Sequence, residues 1–258
     1  MNQSERRTFL IHAFLSEKPQ YRKVKVPSTP KEQEALLRGL MNVREPQSID
    51  EAILDIQDAY LQEALQEKGI TSLDSLVPIR DGIYLWQGDI TTLQCDAIVN
   101  SANADLTGCY IPNQACVDNC IHTYAGIQLR KYCNDIIQEQ GHIEFTGQAK
   151  ITPAYNLPCK YILHTVGPIV TEPLADYDRD MLTSCYQSCL DLASQRHLES
   201  VAFCCIATGS YHFPHEEAAQ IAVQTVLDFL QEDTQIKKVI FTVFQDQDKA
   251  IYEKLLQA

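Results

Sequence analysis

The sequence predicts an α/β sandwich with a largely parallel central sheet, preceded by a small helical extension. Two observations carry this. After residue 80, short apolar or β-branched runs alternate with helical segments, the pattern of strands joined by crossover helices. Before residue 80, the apolar periodicity is helical and no strand pattern stands out. The boundaries that follow are 1–80 for the extension and 81–258 for the main domain.

In the extension, Ile49, Ala52, Ile53, Ile56 and Tyr60 recur at helix spacing after Ser48, which is expected to cap that helix. Residues 31–43 read as a shorter helix entered through Pro30. In the main domain the strand candidates are 82–87, 96–100, 160–166, 201–207 and 238–244, with 147–153 as a further one. Helices are expected near 114–138, 178–196, 214–232 and 247–257. Ligands in such sheets bind beyond the carboxyl ends of the strands. Polar and glycine-bearing segments stand there: Gly88-Asp89-Ile90, Asn100 to Asn103, Thr208 to Pro214, and Phe244-Gln245-Asp246.

Composition narrows the function classes. Hydrophobic residues make up 45% of the 258 residues and charged residues 21%, a globular balance. The apolar run Phe9 to Leu15 is too short for a membrane span and lacks a small-residue cleavage site. A cytoplasmic protein with no membrane partner is therefore expected. Ten cysteines do not make a disulfide scaffold in a chain of this length and kind. The net charge of −13, with no Lys/Arg cluster, argues against nucleic acid as a partner. An acidic protein can still take an anionic small molecule, through backbone N–H groups and helix N-termini at close range.

Several motifs are absent. There is no G-x-G-x-x-G or P-loop, and no G-x-S-x-G elbow to give Ser210 a nucleophile's setting. Between Thr208 and Glu217 a glycine is expected to allow a tight turn, and Pro214 to open a helix with Glu216 and Glu217 in its first turn. Alone this is an ordinary strand–helix connection. The segment Gly108 to His122 is denser in chemistry. Asn113 is expected to cap a helix. Cys120, in register with Val117, Ile121 and Tyr124, is expected to face the core. Asp118 and His122 share one helix face, and His122 reads as structural. Cys109 and Cys116 are spaced C-x6-C, and a helix start beside Cys116 is expected to lower its thiol pKa. Either could be a nucleophile, but no base is identifiable. Two thiolates alone make a poor zinc site.

Taken in order, Gly88-Asp89-Ile90-Thr91, Asp96 to Asn103, Asp118 with Ile121-His122, Gly126, Asn156-Leu157-Pro158, His164 to Pro168 and Gly209 to Pro214 resemble a macrodomain over residues 82 to 258. The resemblance implies a three-layer sandwich, with a mixed, largely parallel sheet between helices. It also implies ADP-ribose as ligand. Asp89 would hydrogen-bond the adenine amino group, with Ile90 beside it and Phe244 near the ring. Asn103 would orient the distal ribose. The loop of Thr208, Gly209, Ser210, Tyr211, His212 and Phe213 would wrap the diphosphate, with Phe213 against the ribose. Asp118 matches the acidic position of the branch that removes ADP-ribose from proteins.

The loop before Asp118 resembles that of zinc-dependent macrodomains, found in bacteria and fungi, often beside a sirtuin-type ADP-ribosyltransferase, and extended at the N-terminus by helices. Their loop ligates zinc with a C-x4-H-x-C pattern. This chain keeps Cys109 and Cys116 but has Gln114 where the histidine belongs. A carboxamide oxygen is a weak, hard donor beside an imidazole. The resemblance thus implies a zinc-assisted protein-ADP-ribose hydrolase acting on carboxylate esters, its target a mono-ADP-ribosylated protein such as a lipoyl-carrier protein modified by a partner sirtuin. Gln114 leaves open a reader module with little catalysis. A purely structural protein with inert thiols would need the whole motif set to be coincidence.

Overall fold

The computed structural model describes residues 1–171, 173–232 and 235–257, so the last residue of the expected 81–258 domain lies outside the described residues. Three helices come first: α1 (Gln3–Ser16), α2 (Pro30–Val43) and α3 (Glu51–Lys68). Helix α1 had no counterpart among the expected elements. Its N-cap, Asn2, forms a capping box with Glu5. Helix α3 is capped by Asp50, whose side chain accepts from the Ala52 N–H, and not by Ser48, whose carbonyl instead accepts from Arg44.

A two-residue strand β1 (Thr71–Ser72) pairs in parallel with β3 (Leu93–Gln94), joining the two sides of residue 80. The main sheet contains β2 (Ile83–Gln87), β4 (Ala97–Ala102), β5 (Ala149–Pro153), β6 (Tyr161–Val166), β7 (Ser200–Phe203) and β8 (Lys238–Val243), in the order β2-β8-β7-β4-β6-β5. Every pairing is parallel except β5 with β6. The inner strands are near-continuous apolar runs, as parallel strands covered on both faces must be. Ile98, Val99, Val201, Ala202, Val239 and Ile240 are fully buried. Strand β7 stops at Phe203, short of the expected 207, because the chain turns away and Ala207 takes a φ of 62°.

Helices α4 (Val117–Ala125) and α5 (Ile127–Gln140) replace the single helix expected near 114–138. Gly126 breaks it, at a φ of 103° that favours glycine. Helices α6 (Asp176–Gln195), α7 (His215–Glu232) and α8 (Asp246–Gln257) complete the layers flanking the sheet. The fold is a three-layer sandwich with a mixed, mostly parallel sheet and N-terminal helices. None of the described helices is long and apolar enough to cross a membrane.

The extension has its own small core of Leu10, Ile11, Phe14, Leu37, Leu40, Met41 and Leu61, and Ile127 of α5 belongs to it. Polar bonds seal the junction. Gln57 Oε1 accepts from the Ile127 N–H at 3.0 Å, and Asn156 Nδ2 donates to Asp58 at 2.6 Å. Because Phe14 is 2% exposed, Phe14→Ala should cost about 3–5 kcal/mol. Urea unfolding followed by far-UV circular dichroism and by Trp86 fluorescence should show one shared, lowered midpoint. A shift in the helical signal alone would mean that the extension unfolds independently.

Candidate active site

The parallel strands β2, β8, β7 and β4 are neighbours, so their carboxyl ends open together onto one cleft of about 560 Å³. Asp89 and Ile90 line it from the end of β2, Asn103 from β4, and Thr208, Gly209, Ser210 and Tyr211 from the segment after β7. Phe244, 78% exposed, stands at its rim. The loop before α4 contributes Cys109, Gln114 and Cys116, and α4 itself contributes Asp118 and Cys120. Two expected site residues fall outside this lining. His212 is exposed, and Phe213 is 1% exposed in the core, where it supports the loop from behind.

Asp89 caps the short 3-10 turn after β2. Its Oδ1 accepts from the Thr91 N–H at 2.9 Å and the Thr91 hydroxyl at 2.6 Å, and Lys68 of α3 pairs with its Oδ2. Burial raises its pKa, but the Lys68 and Thr91 bonds outweigh that and hold it below the ordinary value. Lys68 also sits 4.1 Å from the centre of the Tyr124 ring. The 207–213 loop closes on itself through His212 N–H to Gly209 O and Phe213 N–H to Ala207 O, both 3.0 Å. Positive φ falls on Ala207 and His212 and not on the expected Gly209. Among the described residues, the N–H groups of Gly209, Ser210 and Tyr211 find no backbone acceptor. That is the donor array an anion requires.

The catalytic candidate lies deeper. Asp118, 7% exposed, accepts at Oδ1 from Asn100 Nδ2 at 2.8 Å. The same nitrogen lies 3.1 Å from His164 Nδ1, and His164 Nε2 lies 2.9 Å from the Thr152 hydroxyl. Burial pushes Asp118 up to about 6, against the lowering effect of Asn100 and Arg130. Burial pushes His164 down to about 3 and His122 well below its ordinary value, so both imidazoles are neutral. His122 Nε2 lies 3.6 Å from Asp118 Oδ1, and neither ring nitrogen of His122 has a hydrogen-bond partner among the described residues. Asn103 donates to Gly108 O at 3.1 Å, leaving its own Oδ1 buried and unpaired.

Cys116, not Asn113, caps α4: its sulfur accepts from the Asn119 N–H at 3.5 Å. Asn113 instead takes a φ of 58° in the loop. The Cys116 thiol is pushed up to about 11, mainly by burial, with Asp118 and Cys109 adding to it and the Asn119 bond opposing it. The expected lowering by the helix start is thus present but outweighed. Cys120 is half-buried on the cleft wall, not in the core, 3.5 Å from Arg38 Nη2.

The donor chemistry bears on a metal. Each loop sulfur accepts a backbone N–H, Cys109 from Ile111 at 3.4 Å and Cys116 from Asn119, which suits thiolate ligands. A cation would reverse the burial penalty on the Cys116 thiol. The third donor of the loop is only Gln114. Three other groups, His122, Cys133 and His164, lie within 4.8 Å of one another. Asn100 and Thr152 already occupy His164, and burial pushes the Cys133 thiol well above its ordinary value, so this trio is better explained as core.

Comparison with known proteins shows the family. The model of the Macro domain family matches residues 99–222. A "Protein-ADP-ribose hydrolase" of Treponema medium is 54% identical over 99% of this chain and 100% of its own length. This chain belongs to the macrodomain family. A Fusarium oxysporum relative, named as a probable bifunctional ADP-ribose hydrolase/ADP-ribosyltransferase, is 38% identical over 86% of this chain, which spans 40% of that protein. The Trypanosoma brucei macrodomain, solved in complex with ADP-ribose, superposes with a TM-score of 0.66 at 30% identity, covering 89% of this chain and 97% of that one.

Sequence reasoning missed Arg38, Asn42, Lys68 and Arg130 as parts of the site. Their partners lie far away in sequence and no local pattern marks them. Asn100 did carry a signal, as a polar residue inside the apolar run Ala97-Ile98-Val99.

The raised pKa of Asp118 has a measurable consequence. A carboxyl whose folded pKa exceeds its unfolded value binds protons more tightly when native, so its contribution to stability is present at low pH and lost as pH rises from about 4 through 6. Asp118→Asn should therefore gain stability relative to the parent across that window, by roughly 2–3 kcal/mol. Urea unfolding of both proteins at a series of pH values measures this. A stability difference that stays constant with pH would contradict the assignment.

Proposed function

We propose that the protein hydrolyses the bond between ADP-ribose and a modified protein side chain. The observation that carries this is Asp118, a desolvated carboxyl with its pKa near neutrality, on the wall of a cleft that also offers an anion-binding loop. The name of the Treponema relative supports the same reading.

ADP-ribose fits the cleft along its length. The adenine would lie at Asp89 and Ile90 beneath Phe244, with its amino group donating to the Asp89 carboxylate. The free N–H groups of 209–211 would hold the diphosphate. The distal ribose would then reach Asn103 and Asp118. Above pH 6 Asp118 is largely ionised and can take the proton of an attacking water. Water adds and the side-chain carboxylate leaves, giving ADP-ribose and the unmodified protein. Asn103 orients the ribose by its amide.

Cys109 and Cys116 would hold a zinc ion, with the Gln114 side-chain oxygen as a weak third donor. When bound, the ion would supply Lewis acidity toward a ribose or water oxygen. The target we propose is a lipoyl-carrier protein modified by a sirtuin-type transferase, both cytoplasmic. The pairing of hydrolase and transferase in the name of the Fusarium relative supports a transferase partner.

Gln114 favours a second reading, a binder of ADP-ribose with little release. Two variants separate the readings. Asp118→Asn should slow release of ADP-ribose from mono-ADP-ribosylated protein by about 10²–10⁴-fold while ADP-ribose affinity by calorimetry changes little. Undiminished release by that variant would end the proposed role of Asp118, and binding without release by the parent protein supplied with zinc would favour the reader. Gln114→His should raise zinc retained per chain after dialysis, measured by atomic emission. Equal zinc content in the two proteins would count against Gln114 as a ligand position.

A further inference from the structure

The loop that carries Cys109, Gln114 and Cys116 has little packing of its own. Ile111, Pro112, Asn113, Gln114 and Ala115 are all exposed. What fixes it is a set of polar tethers, and two of them come from helix α2 of the N-terminal extension. Arg38 Nη2 donates to the Gln114 carbonyl at 2.8 Å and to Asn119 Oδ1 at 3.0 Å. The second bond determines how the buried Asn119 amide points: with Oδ1 facing the guanidinium, Nδ2 faces the loop and donates to Ile111 O at 3.1 Å and Cys109 O at 3.4 Å. One side chain thus ties both arms of the loop, directly at Gln114 and through Asn119 at Cys109 and Ile111.

One turn along the same helix, Asn42 repeats the motif. Its Oδ1 accepts from the Asn113 N–H at 2.9 Å, and its Nδ2 donates to the Thr123 hydroxyl of α4 at 2.8 Å. Asn113 is the loop residue with a φ of 58°, a left-handed turn position that asparagine tolerates better than most residues. Between the two tethers lies Gly39. A Cβ there would stand 3.4 Å from Asn113 Nδ2 and 3.6 Å from Pro112 Cβ, so the loop rests directly on the helix backbone.

We propose that Arg38, seconded by Asn42, is a positioning residue for the thiol-bearing loop, so that the N-terminal extension completes the active site. Arg38 acts through the loop and not on substrate. A residue that served only to pack the extension would affect stability and nothing else. The kinetic part of this proposal rests on the hydrolase reading, whereas its chemical part does not.

The test uses the full chain carrying Arg38→Met, which keeps the stem and removes the donors, with Arg38→Lys alongside. With metal stripped by a chelator, alkylation of Cys109 and Cys116 by iodoacetamide, mapped by peptide mass spectrometry, should accelerate on the order of tenfold in Arg38→Met, the scale of losing charged hydrogen bonds to the loop. Buried Cys189 serves as the internal control for folding. In the release assay kcat should fall by a similar factor with KM little changed, and Arg38→Lys should recover part of both effects. Should Arg38→Met fail to fold, Asn42→Ala removes the Asn113 tether and the Thr123 bond while leaving the Arg38 tethers in place, and should give the same selective labelling. Unchanged labelling of both loop thiols in a folded variant overturns the proposal. Accelerated labelling in a protein that releases no ADP-ribose upholds the clamp and refutes the hydrolase reading instead.

Discussion

A single amide, Asn100 Nδ2, stands between the Asp118 carboxylate and the His164 ring, and the rest of the site is arranged around that sharing. Its two hydrogens go to Asp118 Oδ1 and His164 Nδ1. His164 Nδ1 is therefore the acceptor, and the ring carries its proton on Nε2, where it meets the Thr152 hydroxyl. The polarity of the chain from β5 through β6 to β4 is set, and it ends on Asp118. The Asn100 bond orients the carboxylate, but even with the lowering effects of Arg130 and the Cys109 N–H it does not cancel the burial, which leaves Asp118 at about 6. Further donors would have returned Asp118 to the ordinary carboxylate range and deprived it of use as a base.

The second constraint is charge. A chain of net charge −13 has no long-range attraction for a diphosphate. It compensates at short range, with unpaired N–H groups in the 209–211 segment, which act within hydrogen-bond distance and need no formal charge. The cations near the cleft are already committed. Lys68 holds Asp89, Arg38 holds the thiol loop, and Arg130 is spent on carbonyls of Thr107, Asn42 and Arg44. They build the walls. Two of these three lie in α2 and α3, which is why the extension cannot be treated as an ornament on the sandwich.

The legibility of the sequence followed the range of the interactions. Strand and helix positions were readable because apolar periodicity is local, and the cleft followed from the rule that ligands sit at strand carboxyl ends. Errors arose where a local preference met a longer-range one. Ser48 lost its cap to Asp50. Cys120 has the helical phase of a core residue, yet its side of α4 faces the cleft. Cys116 sits at a helix start that lowers thiol pKa, but burial beside Asp118 dominates. Phe213 was expected against the ribose, and the turn closing at Ala207 carries it into the core instead. The tethers from Arg38 and Asn42 span more than seventy residues and left no mark in the sequence.

The central claim is that burial, only partly offset by Asn100, holds the Asp118 carboxyl near neutrality in the folded protein. Carbon-13 NMR of the aspartate side-chain carboxyls, with Asp118→Asn identifying the signal, measures this directly. The account predicts a titration centred near pH 6. A titration centred near 4, the ordinary value for aspartate, would contradict it.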